Sequence, residues 1–174
     1  YGVLDDKGQS KQWKNMGIKE GDIVTVVGPK ASHNGKAQLK NVSIENHIKV
    51  QDISLADFRA LKDDKTAYYR ISGKVAKSTE ANTKFDLKDY GNFALTDGTT
   101  EVYVFGVRSG WGGAKGQFGP LGIKEGDELT IVCYKTSFKG LIEADGCFYV
   151  SHKSGSVKPE DPQPGEDPYS IDLK

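Results

Sequence analysis

The feature that most constrains this chain is a stretch it contains twice. Gly17-Ile18-Lys19-Glu20-Gly21-Asp22 recurs letter for letter as Gly122-Ile123-Lys124-Glu125-Gly126-Asp127. Laid without a gap, residues 17–47 and 122–152 agree at 12 of 31 positions: those six plus Thr25/Thr130, Val27/Val132, Lys30/Lys135, Ser32/Ser137, Gly35/Gly140 and His47/His152. Self-similarity at a fixed offset is the mark of one structural unit used more than once. The expectation is two copies of a small β module, at residues 1–50 and 51–157. Tyr1-Gly2-Val3 corresponds to Phe105-Gly106-Val107, which in the second copy comes well after the module has begun. The first copy is therefore expected to lack its opening strands, with further domains of the same polypeptide on both sides.

Local patterns give the module its strands. Asp22 to Gly28 is a β-branched run between glycines and reads as a buried strand; Pro29 to Gly35 is a turn region, and Ala37 to Ile44 alternates as the return strand. Trp13 and Met16 align with Phe118 and Leu121, so both pairs read as core. Ser54 followed by Asp57 is a helix start in which hydroxyl and carboxylate can satisfy orphan backbone N–H groups. Leu55, Phe58 and Leu61 then share a face, predicting an amphipathic helix over 54–62 that covers the bottom of the second module.

In the second copy Tyr68 to Val75 is a strand whose central Gly73 signals a bend. Residues 77–89 form a polar connection. Asn92 to Thr96 and Glu101 to Phe105 flank Asp97-Gly98, a strong hairpin signal, and 128–135 and 141–150 repeat the strand pair of the first copy. Five short antiparallel strands with a bent first member predict an all-β fold of tandem five-stranded OB-fold barrels, the first incomplete at its N-terminus, with one short helix between them. Lys158 to Pro168 is rich in proline and acid and reads as a linker, so 158–174 is expected to be linker and tail.

Charge and cysteine content exclude little. The 24 basic residues equal the 24 acidic ones, so no overall basic field attracts nucleic acid. Without the tail the balance is 22 basic against 19 acidic, since Lys158 and Lys174 go with Glu160, Asp161, Glu166, Asp167 and Asp172. No apolar run reaches the roughly 18 residues of a membrane helix. Cys133 and Cys147 fall on neighbouring strands; a cross-strand disulfide is open to them. Gly28 and Val42 at the equivalent places favour two buried thiols instead.

Tyr90-Gly91-Asn92-Phe93-Ala94-Leu95-Thr96-Asp97, then Val102-Tyr103-Val104-Phe105-Gly106, then Gly122 to Asp127, preceded by a helix such as Ser54 to Leu61, resembles the OB-fold modules of secreted and envelope proteins of Bacteroidetes. The match covers 51–152 well and 1–47 as a half module. Such modules occur in tandem in larger surface lipoproteins, so the resemblance implies an envelope or secreted location and a non-enzymatic binding role. It carries over no functional residues. The chain departs from the pattern in Lys84 to Asp89 and in the glycine-rich stretch after Val107, both of which lengthen loops near the usual ligand face.

Candidate ligand-binding residues come from alternation and from those loops. Phe93, Leu95, Val102 and Val104 fall on one face of the hairpin, to fill the barrel; Tyr103 and Phe105 fall on the other, where OB-folds stack bases or sugars. Against that stands packing on the neighbouring module or the helix. Trp111, set among glycines and without a core counterpart in the first copy, reads either as an exposed stacking platform or as a ring folded over the barrel end. Arg108 and Lys115 beside it suit phosphate or carboxylate. Lys84 belongs with Lys74, Lys77 and Lys88 around the first long loop, where solvated lysine is the default reading. His47 and His152 are repeat equivalents and read as structural. No nucleophile, metal or cofactor motif is present. The expectation is a binding module that is not an enzyme and needs no cofactor or metal, with a glycan or protein as ligand; single-stranded nucleic acid is the alternative.

Overall fold

The computed structural model describes residues 3–4 and 13–155. In chain order come β1 (Val3–Leu4), a 3-10 turn at Trp13–Met16, β2 (Ile23–Val27), β3 (Lys30–His33), β4 (Lys36–Leu39), β5 (Val42–Ile48), β6 (Val50–Asp52) and α1 (Leu55–Ala60). After these come β7 (Asp64–Ala76), β8 (Asn92–Thr96), β9 (Glu101–Phe105), β10 (Val107–Arg108), a 3-10 turn at Gly119–Leu121, β11 (Glu128–Phe138) and β12 (Leu141–Lys153).

The long strands close a barrel. β7 pairs with β8 on one side and β11 on the other, β8 pairs with β9, and β11 pairs with β12. A parallel contact between β9 and β12, Tyr103 opposite Glu143 and Val104 opposite Ala144, completes the ring. This is a five-stranded closed barrel of the OB type. Period-two alternation fills it as expected: Phe93, Leu95, Val102 and Val104 are fully buried, with Ile71, Val75, Leu129 and Ile131 around them. Between Val132 and Tyr134 the β11–β12 register slips. The slip sits at Gly146, whose φ is +59° and where a Cβ would run into the Tyr134 ring. It lets Ala144 and Cys147, three residues apart, both enter the core, a role bulges commonly serve in barrels. The two cysteines are buried free thiols.

The helix plugs the barrel. The Ser54 hydroxyl accepts the Asp57 N–H at 3.0 Å and donates to the Asp57 carboxylate at 2.6 Å. Only the serine half of the expected reciprocal cap reaches the backbone; the carboxylate is held by the hydroxyl instead. Leu55 and Phe58 are buried in the core and Leu61 packs against it, each full burial being worth about 1.5–3 kcal/mol. Gly73 makes room for this: a Cβ there would come within 3.2 Å of Leu55 Cδ1 and 3.0 Å of the Thr96 carbonyl oxygen.

In the first copy β1, β5 and β2 form a three-stranded sheet, with β3 and β4 as a separate hairpin. Its pairing matches the second copy residue by residue. Ile23 faces Ile48 and Val24 faces His47; Glu128 faces Lys153 and Leu129 faces His152, an offset of 128 − 23 = 105 throughout. Both ladders slip at the same point, after Thr25 and after Thr130. β1 runs parallel to β5 with Val3 opposite Val42, as β10 runs parallel to β12 with Val107 opposite Cys147. The repeated hexapeptide has a mechanical role. The Asp22 carboxylate accepts the N–H groups of Lys19 (3.0 Å) and Val50 (3.1 Å), and Asp127 accepts those of Lys124 (2.8 Å) and Gly155 (2.9 Å). In each copy one aspartate ties the entry of a strand to the chain that leaves its partner.

Two expectations for the first copy are corrected. The β-branched run of β2 reads as buried, but only Ile23 is, and Val27 is 53 % exposed; among the described residues its sheet has three strands and little to cover it. The return strand reads as unbroken from Ala37 to Ile44, yet β4 ends at Leu39 and β5 begins at Val42. Asn41 has φ +49° there, and Pro29, just before β3, has no N–H to offer and only accepts, from the Lys40 N–H at 3.2 Å. The Trp13 side chain and residues 158–174 lie outside what is described. The copies meet where Ile23 joins Val132 and Phe148, with Ile48, Val50 and Tyr68 packed around them, and where the Arg70 guanidinium, paired with Asp52 at 2.8 Å, lies against Gly21. No helix among the described residues is long and apolar enough to cross a membrane.

Candidate ligand-binding cleft

A cleft of about 970 Å³ opens on the outer surface of β9 and β12, at the upper end of the range for small-molecule sites, about 300–1,000 Å³. One wall is the loop between β7 and β8. A second is β10 with the glycine-rich segment after it, and a third is the turn between β11 and β12. The first wall is braced from within. The Asp86 carboxylate accepts the N–H groups of Lys88 (2.9 Å), Asp89 (2.9 Å) and Tyr90 (3.3 Å), and those bonds, Asp89's foremost, hold its carboxyl below the usual range. Beneath it Phe118 is fully buried, 5.5 Å from Phe93. Gly91, at φ +73°, lies directly over that ring; a Cβ would approach it to 2.6 Å.

Five of the six candidate residues line this cleft: Lys84, Tyr103, Phe105, Arg108 and Lys115. Phe105 is 53 % exposed and offers an open ring face. The side chains of Lys84, Arg108 and Lys115 have no ion-pair partner among the described residues. Tyr103 is a correction. Expected as an exposed platform, it is only 4 % exposed, because the lengthened loop folds over it. Its hydroxyl accepts the Lys84 N–H at 3.1 Å and donates to the Lys84 carbonyl at 3.4 Å. Tyr103 thus rivets the loop to the barrel and shapes the wall.

Trp111 lies elsewhere. It stands edge-on to Tyr68 (5.4 Å) and Phe148 (5.3 Å), flanking the cluster where the copies meet, and is 48 % exposed. It is exposed, as one of the two readings has it, but its ring packs against Tyr68 and Phe148 and it is not among the residues lining the cleft.

The floor of the cleft holds what sequence reading missed. Glu143 and Asp145, successive outward residues of β12, both line it, as do the exposed rings of Tyr90 and Phe138. Glu143 is 8 % exposed. Burial first, and then the Asp145 charge, hold its carboxyl above the ordinary value. The Asp145 carboxylate accepts the Tyr134 hydroxyl at 3.2 Å; burial and that neighbour push the Tyr134 phenol up to about 12. A second recess of about 510 Å³ shares Phe105, Phe138, Glu143 and Asp145 as its boundary with the first. The outward alternation of Glu143 and Asp145 was readable in the sequence. What was not readable is that β12 lies beside β9, which only the parallel closing contact establishes.

His47 donates its Nε2–H to the Asp22 carboxylate at 2.7 Å and His152 contacts the Tyr149 hydroxyl at 3.1 Å, both within strand scaffolding. Among the described residues no group of three or more His, Cys, Asp or Glu side chains is placed to hold a metal ion. Compared with known proteins, the chain matches no family and no curated protein.

Proposed function

We propose that this chain is a non-enzymatic glycan-binding module, made of tandem OB-type units within a larger bacterial envelope or secreted protein. The observation that carries the ligand class is the cleft itself: exposed aromatic rings, Phe105, Tyr90 and Phe138, around a floor of two carboxylates, Glu143 and Asp145. Aromatic faces stack on the apolar faces of sugar rings, and carboxylates accept hydrogen bonds from hydroxyls. The location rests on the resemblance of the YGNF-type hairpin and the repeated hexapeptide. The tandem reading is supported by the shared offset of 105 in both sequence and strand register.

Single-stranded nucleic acid is the competing reading, favoured by the unpaired Lys84, Arg108 and Lys115 along the walls. Phosphate contacts dominate nucleic-acid affinity, and the two floor carboxylates repel phosphate. The test is isothermal titration against a panel of oligosaccharides and a labelled single-stranded oligonucleotide, each at low and moderate salt. Binding to a glycan with little salt dependence, lost in Phe105→Ala, is the expected result. Oligonucleotide binding that weakens steeply with salt, with no glycan bound, would overturn the proposal.

A further inference from the structure

Glu143 is the unexplained group on this face. The residue is more than nine-tenths buried and lines the cleft, no hydrogen bond or ion pair reaches its carboxylate from any described residue, and the little solvent contact its oxygens keep is through the cleft. Buried carboxylates are ordinarily paired, because a desolvated charge without a partner is costly. Its nearest acidic neighbour makes matters worse. Asp145 lies two residues later on the same face and, among the described residues, has only the Tyr134 hydroxyl and its neighbour's backbone N–H as donors.

Lys84, Arg108 and Lys115 stand on the walls of the same cleft, but none is within ion-pair distance of Glu143 or Asp145; the other nearby cations are engaged. Lys135, on the adjoining strand, is buried and spends its ammonium on Asp63 at 2.7 Å, where Ser137 also donates at 3.0 Å. Arg59 is occupied by Glu80 at 3.3 Å and by the Glu101 carbonyl at 2.8 Å. Lys139 stands over the Phe138 ring at 5.3 Å. The floor is left with two carboxylates, acceptors only, facing a solvent-filled space walled by aromatic rings.

Resting on the glycan reading above, we infer that the floor of the cleft takes a protonated primary amine, so that the ligand is a glycan carrying unacetylated amino sugar. An ammonium brings three N–H donors and the opposite charge, and hydrogen bonds between ionised partners are about twice as strong as neutral ones. A sugar hydroxyl supplies a donor and leaves the charge unanswered. An N-acetyl group supplies one N–H and fills the floor with a methyl. The aromatic walls hold the pyranose ring while Glu143, seconded by Asp145, selects the amine.

The test compares three probes by titration calorimetry: a β-1,4-linked glucosamine hexamer, its fully N-acetylated counterpart, and a lysine-containing hexapeptide. Wild type, Glu143→Gln and the exposed control Glu45→Gln are used, with thermal melting to confirm folding. The expected result is a preference of about tenfold or more for the free amine over the N-acetylated sugar, the scale of one charge-assisted hydrogen bond. Glu143→Gln should erase it and Glu45→Gln should leave it intact. Equal binding of both sugars, or a preference that survives in folded Glu143→Gln, overturns the amine site and leaves the glycan reading standing. Binding of the peptide alone overturns the glycan source. No binding by any probe overturns the amine site.

Discussion

The carboxylate of Asp22 offers the sharpest quantitative test of the fold. It accepts two backbone N–H groups, from Lys19 and Val50, and meets His47 at 2.7 Å; these bonds, Lys19's foremost, lower its pKa from 3.8 to about 2. The folded pKa is depressed, so the stability it contributes is present above the unfolded value of 3.8 and is lost as pH falls from there through about 2. At neutral pH the shift corresponds to about 2 kcal/mol, and at pH 3 about half of that remains. Asn has nearly the shape of a protonated aspartate. Asp22→Asn should therefore cost about 2 kcal/mol at pH 7, about 1 kcal/mol at pH 3 and almost nothing at pH 2. The measurement is urea unfolding of both proteins by circular dichroism at pH 7 and pH 3. A cost that stays constant between the two would show that the carboxylate's charge is not what the clamp uses.

Other expectations concern the barrel and its loops. Gly146→Ala should destabilise by about 1–3 kcal/mol, through positive φ and collision with Tyr134; an unchanged melting temperature would refute the bulge argument. Phe118→Ala removes a fully buried ring and should cost about 3–5 kcal/mol in unfolding free energy. Because Phe118 underlies the loop walls, it should also weaken glycan binding at temperatures where the variant remains folded; unchanged affinity would separate the brace from the site. Phe105→Ala should change stability by less than about 0.5 kcal/mol, as surface substitutions do, while abolishing binding by calorimetry. Cys133 and Cys147 are fully enclosed and should react with a thiol reagent only after denaturation; rapid labelling of the native protein would contradict their burial.

Much of the architecture was legible because its determinants are local or repeated. Leu55, Phe58 and Leu61 announce their helix by spacing. The Asp97-Gly98 turn fixes the hairpin register, so the inward set Phe93, Leu95, Val102 and Val104 can be named from alternation alone. The site was only half legible, for a reason of range. Phe105, Arg108, Lys84 and Lys115 are found from their own strand and loops, whereas Glu143 and Asp145 reach the same cleft through the contact of β12 with β9, distant in sequence. Tyr103 goes astray because alternation gives the face of a strand and is silent on which loop folds over it. The exposure of Trp111 was legible, but its partners, Tyr68 and Phe148, were not, because they come from two strands that sequence spacing does not bring together.

The aspartate clamp also divides mutational risk unevenly. In both copies the acceptor is a side chain and the donors are main-chain N–H groups, of Lys19 and Val50 in one and of Lys124 and Gly155 in the other. A main-chain donor survives every replacement except proline. Valine at 50 and glycine at 155 can thus serve one purpose with nothing in common, whereas the acceptor has no such latitude. At the far donor the side chain differs, Val50 in one copy and Gly155 in the other, whereas the acceptor must stay an aspartate for the fastening to hold.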